Sequence, residues 1–260
     1  MTPEISLSWA VRTDAGLRRS SNEDSHATRP DVGLFIVADG MGGHVAGEVA
    51  SRVAVESISA FVEETANTDP NRTWPFPFDP ELSVEANRLK AAFKLANRRI
   101  ATAIADSQDL RGMATTASGM LVSGRRSCVA HIGDSRVYVL KDGALRQITS
   151  DHSWVEEQVR AGVLTADAAR QHPWRNVVTR ALSGGDDPEI DVVDVTPVPG
   201  ERYLLCSDGL FGVVDDEQIT RILADPQATL DGICGQLIDA ANAAGGPDNI
   251  TALVIQIDVP

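Results

Sequence analysis

The sequence predicts an α+β fold in one domain over residues 1–260. Two observations carry this. Short apolar runs bounded by turn residues recur along the whole chain, and fewer but longer runs between them carry apolar residues at helical spacing. No repeat, low-complexity segment or shift in composition divides the chain.

The strand-like runs are Ser6 to Arg12, Leu34 to Ala38, Ser118 to Val122, Cys128 to Ile132, Arg136 to Leu140, Ile190 to Val195 and Tyr203 to Cys206. A last one, Ile250 to Ile257, is apolar on both faces and is expected to be fully buried. Among the helices, Ala46 to Glu64 places Val49, Val53, Ile58, Phe61 and Val62 at helical spacing. Glu85 to Asp106 does the same with Leu89, Ala92, Phe93, Ala96 and Ile100. Leu230 to Ala244 is similar, and Asp216 to Leu223 is shorter. Asn67 to Pro80 is too rich in proline to continue a helix, so it reads as a surface connection between antiparallel helices. Asp142-Gly143, between two strand-like runs, reads as a hairpin turn.

Composition narrows the function classes. With 43% hydrophobic and 23% charged residues, the chain is an ordinary globular one. Its net charge of -14 speaks against nucleic acid, which needs a basic stripe, and against anionic membranes. No apolar run is long enough to span a bilayer, and the N-terminus lacks a basic start and an apolar stretch. The expected location is cytoplasmic. Cys128, Cys206 and Cys234 are far apart and form no CxxC pair, which argues against a disulfide framework or structural zinc and for buried, inert thiols. Most acidic residues read as solvated surface, but some are candidates for gathering around cations.

Three segments share one design, in which an apolar strand runs into an aspartate at a turn. They end in Ala38-Asp39-Gly40, Gly133-Asp134-Ser135 and Ser207-Asp208-Gly209. A fourth aspartate, in Gly246-Pro247-Asp248-Asn249, precedes the last strand. A single Asp-Gly pair is an ordinary hairpin turn. Several strand-end carboxylates meeting at one sheet edge would instead form an oxygen-rich pocket. Close like charges raise each other's pKa, and divalent cations resolve the conflict. All-oxygen ligands with water favour Mg2+ or Mn2+. Upstream, Arg18-Arg19-Ser20-Ser21-Asn22-Glu23-Asp24 offers a guanidinium that could hold a phosphate bidentately or form an exposed salt bridge. Glu23 and Asp24 would hold metal-bound waters or cap a turn.

These segments resemble the bacterial members of the protein phosphatase 2C (PP2C, or PPM) family of serine/threonine phosphatases. The likeness runs from Gly16 to Asp24, through Val37 to Gly43, Gly112-Met113-Ala114-Thr115-Thr116, Ile132 to Tyr138 and Ser207 to Leu210, to Gly246 to Thr251, in the family's order. Each segment is weak alone, and together they are specific. The resemblance implies two packed antiparallel β-sheets flanked by helices, an αββα sandwich with metals at one end. It implies that Asp39 bridges two ions, that the Gly40 carbonyl binds the first, and that Asp208 and Asp248 hold the second. Glu23 and Asp24 would act mainly through water, Arg19 would grip the substrate phosphate, and Asp134 with Asp208 would hold a third ion. Attack would come from a bridging hydroxide in line with the leaving seryl or threonyl oxygen, with no phospho-enzyme.

The resemblance also implies phosphorylated protein substrates, a cognate Ser/Thr kinase, a signalling role and a monomer. Animal members carry a histidine two positions after the first aspartate, and here that position is Met41, which cannot donate a proton. His44 and His152 read as structural or surface residues. Ser150 to Ser183 matches the place of a mobile flap and is expected to set substrate choice; the alternative is a helical insertion that only packs. One competing reading is a pseudo-phosphatase that binds phosphoproteins without turnover, which loss of a ligand aspartate would mark. All are present. The other, nucleotide binding by the Gly40 to Gly47 loop, lacks the lysine of GxxxxGK[ST] and the third glycine of GxGxxG.

Overall fold

The structure, a computed structural model, describes residues 5–42, 46–67, 75–124 and 126–258. Met1 to Glu4, Gly43, His44 and much of the proline-rich connection lie outside the described residues. The strands are β1 (Leu7–Asp14), β2 (Asp24–Arg29), β3 (Leu34–Met41), β4 (Ala114–Thr115), β5 (Ala117–Leu121), β6 (Ser127–Ile132), β7 (Arg136–Lys141), β8 (Ala144–Gln147), β9 (Asp191–Val195), β10 (Arg202–Cys206) and β11 (Ile250–Ile257). The helices are α1 (Ala46–Thr65), α2 (Val84–Asp106), α3 (Trp154–Arg160), α4 (Ala166–Arg170), α5 (Asp208–Phe211), α6 (Asp216–Leu223) and α7 (Leu230–Ala243).

Two antiparallel sheets result. One runs in the order β1-β11-β10-β7-β8, the other β2-β3-β5-β6-β9 with β4 paired to the end of β3. Alternation along the strands sorts side chains into three apolar layers. Phe35 and Val37 of β3 and Leu253, Ile255 and Ile257 of β11 point between the sheets. Leu34, Ile36 and Ala38 turn the other way, onto α1 and α2. Ile250, Ala252 and Val254 turn onto α7 and its neighbours. The expected αββα sandwich is observed, and β11 is buried except at the half-buried Gln256.

Helix starts follow capping chemistry. Ser83 caps α2 through Ala86 N, Asp215 caps α6 through Gln218 N, and Thr229 caps α7 through Gly232 N. Asp142 and Gly143 both take positive φ, +50° and +77°, as a tight two-residue hairpin turn between β7 and β8 requires. The sequence reading passes over β2 because Asp24-Ser25-His26-Ala27-Thr28-Arg29 is polar. Its strand form comes from pairing with β3, from Asp24 opposite Asp39 to Arg29 opposite Leu34. Edge strand β8 is similarly short and polar.

The central layer makes a direct stability prediction. Leu253 is fully buried between the sheets. Leu253→Ala is expected to cost about 2–5 kcal/mol, read as a lower urea midpoint with an unchanged slope.

Candidate metal centre

Antiparallel pairing brings the aspartates to one end of the sandwich. Asp39 stands at the close of β3, opposite Asp24 at the start of β2. Asp134 lies in the turn from β6 to β7, whose first residue, Arg136, pairs with Cys206 at the end of β10. Asp208 follows two residues after Cys206, and Asp248 precedes β11, where Ala252 also pairs with Cys206. These aspartates therefore share one end of the sandwich, close enough for their charges to act on one another.

Hydroxyls join the two sheets there. Asp24 Oδ2 accepts from Ser207 Oγ at 2.6 Å and from Thr251 Oγ1 at 2.7 Å, a bridge from β2 across to β10 and β11. Thr116 Oγ1 accepts from the Asp39 amide at 3.1 Å and hydrogen-bonds Ser135 Oγ at 2.6 Å. Thr115 Oγ1 donates to the Asp39 carbonyl at 2.8 Å. Asn249 holds the upstream loop. Its Oδ1 accepts from the Glu23 amide, and its Nδ2 donates to the carbonyls of Ala15 and Ser21. None of these hydroxyl and amide roles was assigned from sequence, although Thr115, Thr116, Ser207 and Asn249 adjoin or lie in the matched motifs.

Gly40 is required by crowding. A Cβ there would sit 2.1 Å from the Gly47 carbonyl oxygen and 2.7 Å from that of Glu23. A Cβ at Gly47 would meet Glu23 Oε2 at 2.0 Å. The Glu23 carboxylate thus rests against the first turn of α1, where the helix dipole favours negative charge. This use of Gly47 was also missed.

The electrostatics follow from the geometry. Burial, then the charges of Asp24, Asp208, Asp134 and Asp248, hold the Asp39 carboxyl well above the usual carboxylate range. Burial lifts Asp24 to about 7, against the pull of its two hydroxyl partners. Burial and Asp208 lift Asp134 to about 8, and burial and Asp248 lift Asp208 to about 6. Burial also raises Glu23. At the rim, Arg19 Nη2 donates to Asp248 Oδ2 at 2.7 Å, and this bond keeps the guanidinium firmly charged. The Arg19 side chain is 53% exposed, so much of its edge faces solvent. Of the two sequence readings of Arg19, the structure places the salt bridge and leaves the guanidinium accessible. His152 is deeply buried, with both ring nitrogens engaged.

The donor set fits hard divalent cations. All candidate ligands are oxygens, and Asp24 Oδ1 and Asp208 Oδ1 are buried with no hydrogen-bond partner. Among the described residues no three His, Cys, Asp or Glu side chains converge tightly enough to cage an ion. Ions here would be held by a few carboxylates and a carbonyl, with retained water, the habit of Mg2+ and of similar ions.

Comparison with known proteins places the chain in a family. A family model described as protein phosphatase 2C matches residues 17–234. The chain is 38% identical over 252 residues to the serine/threonine protein phosphatase PstP of Mycobacterium tuberculosis, covering 96% of this chain and 45% of that protein. It therefore spans less than half the length of that relative. It is 36% identical over 254 residues to the serine/threonine phosphatase stp of Listeria monocytogenes, covering 95% of each. A crystal structure of the catalytic domain of PstP in complex with two manganese ions superposes with a TM-score of 0.81 at 36% identity, covering 98% of this chain and all of that one. The chain belongs to the protein phosphatase 2C family.

Raised carboxyl pKa values set the pH response of the metal-free protein. A carboxyl whose folded pKa exceeds its unfolded value keeps its proton longer when folded, so stability falls as pH climbs towards the folded value. His131, buried and depressed to about 4 from 6.5, acts in the opposite sense, but only below about 6.5. Between pH 6.5 and 8, the window of Asp24 and Asp134, the chelator-treated protein is expected to lose Tm as pH rises, on the order of a few degrees. Asp134→Asn is expected to flatten that slope and Mn2+ to abolish it. Thermal melts in a pH series check this, and a Tm rising through the window would refute it.

Proposed function

We propose that this chain hydrolyses phosphoserine and phosphothreonine on proteins in a divalent-metal-dependent reaction, with residues 1–260 forming one phosphatase domain. The observation that carries the reading is the convergence of Asp24, Asp39, Asp134 and Asp208 at one end of the sandwich, with Arg19 at its rim. The named activities of the PstP and stp relatives support it. The two manganese ions of the PstP catalytic domain support a pair of Mn2+ or Mg2+ ions here.

Asp39 would be shared by both ions, with the Gly40 carbonyl on one and Asp208 and Asp248 on the other. Glu23 and Asp24 would act mainly through water. A third ion would rest on Asp134 and Asp208. When bound, such ions acidify water into a nucleophile near neutral pH and neutralise charge on the phosphoryl group.

The chain's own residues do the rest. Arg19, kept charged by Asp248, binds the phosphate and turns it towards the carboxyl cluster. Ser207 and Thr251 hold Asp24 in place, and Thr116 holds the backbone of Asp39. Rigid strands beneath keep the reacting groups aligned. His152 is too buried to protonate the leaving oxygen, and Met41 cannot. The segment 150–183, carrying α3 and α4, would act as the flap that sets substrate choice. Its exposed Trp174 packs edge-on against Trp154, which gives it an apolar contact surface. The setting we propose is a monomer in the cytoplasm, opposite a Ser/Thr kinase.

The test is release of phosphate from a phosphothreonine peptide with Mn2+. Chelator is expected to abolish turnover, and Asp208→Ala to lower kcat roughly a hundredfold or more, the scale on which a lost charge-stabilising group acts. Arg19→Ala is expected to raise KM about tenfold or more, as befits a lost hydrogen bond to a charged group. Turnover indifferent to chelator and to Asp208→Ala would overturn the proposal.

A further inference from the structure

The turn that carries Asp134 is gripped on both sides by two consecutive residues of a distant loop. On its N-terminal side, the Gly133 amide donates to His152 Nδ1 at 3.1 Å, and the His152 amide donates to the Gly133 carbonyl at 2.7 Å. On its C-terminal side, Arg136 Nε and Nη2 donate to the two carboxylate oxygens of Asp151 at 3.0 and 2.7 Å. Asp151 and His152 are both buried.

The grip is itself held. Gln147 Nε2 donates to Asp151 at 2.9 Å. Arg136 Nη1 donates to Tyr138 Oη at 2.8 Å, and its guanidinium lies 3.7 Å over the Phe211 ring. The tautomer of His152 follows from its partners. A backbone amide can only donate, so Nδ1 accepts and Nε2 carries the proton towards Asp191 Oδ2 at 3.1 Å.

The Asp134 carboxyl has no side-chain hydrogen-bond partner among the described residues; its own backbone amide and the nearby charge of Arg136 support it. Its position therefore depends on the turn beneath it. That turn is unusual backbone, with Gly133 at φ +102° and a virtual Cβ 2.4 Å from Thr116 Cβ.

We propose that Asp151 and His152 are positioning residues that clamp the 133–136 turn and so hold the Asp134 carboxyl in place to receive a divalent cation. The proposal rests on the reading of Asp134 as a metal ligand. Groups that orient a ligand commonly change metal affinity by about 10- to 100-fold when lost. The histidine does this through the backbone and the aspartate through an ion pair, so neither need touch the ion.

The experiment is calorimetric titration of Mn2+ into the full metal-free chain. Asp134→Asn defines the class of sites that depends on Asp134. His152→Ala is expected to weaken that class about tenfold or more. His152→Asn, whose side-chain oxygen can accept the Gly133 amide, is expected to recover most of the loss. In the Asp134→Asn background His152→Ala should change nothing further. Circular dichroism checks folding; if His152→Ala does not fold, Asp151→Asn carries the same cycle with the same expectation. A folded variant that titrates like wild type, an equal loss in the Asp134→Asn background, or an Asp134→Asn titration identical to wild type would each overturn the clamp. A wild-type chain that takes up no Mn2+ would instead overturn the metal-dependent reading beneath it.

Discussion

Mutual repulsion among poorly hydrated carboxyls is the constraint around which this molecule is arranged. Asp24, Asp39, Asp134 and Asp208 share one end of the sandwich, and each is held above its ordinary pKa, first by loss of water. Left to itself, a flexible chain would separate them. Here they stand at strand ends whose positions are set by fully buried neighbours such as Val37, Ala38, Cys206 and Ile250. The apolar core offsets the electrostatic cost, and that cost is what the proposed cations would relieve.

The supporting polar groups show how that tension is managed locally. The hydroxyls of Thr251 in β11 and of Ser207 just past β10 pin one oxygen of Asp24 on the other sheet, and leave its second oxygen without a partner. Arg19 offsets part of the charge at the rim by pairing with Asp248, and remains half exposed. Arg136 has no such freedom. It is enclosed between Asp151, Tyr138 and Phe211, and is a structural cation behind the cluster.

Legibility in the sequence varied with the source of each feature's stability. Strands β3, β10 and β11 were readable because burial on both faces makes them apolar over most of their length. Helices α1, α2, α6 and α7 were readable from spacing. Strand β2 was not, because its pairing with β3, and no pattern of its own, makes it a strand. The aspartates stood out by repetition beside glycines at strand ends. The hydroxyls and Asn249 did not, since Ser, Thr and Asn are common in any turn and nothing marks the ones that reach a carboxylate.

What the sequence determined by itself was the set of chemical groups, their order, the class of fold and the family. These depend on residue type and short-range periodicity. Only the tertiary structure decided which groups meet. Asp24 reaches Ser207 and Thr251 across 183 and 227 residues, and Arg19 reaches Asp248 across 229. Contacts at such separations follow from the register of two sheets and the way they pack. A one-residue slip in either would turn these side chains to the opposite face.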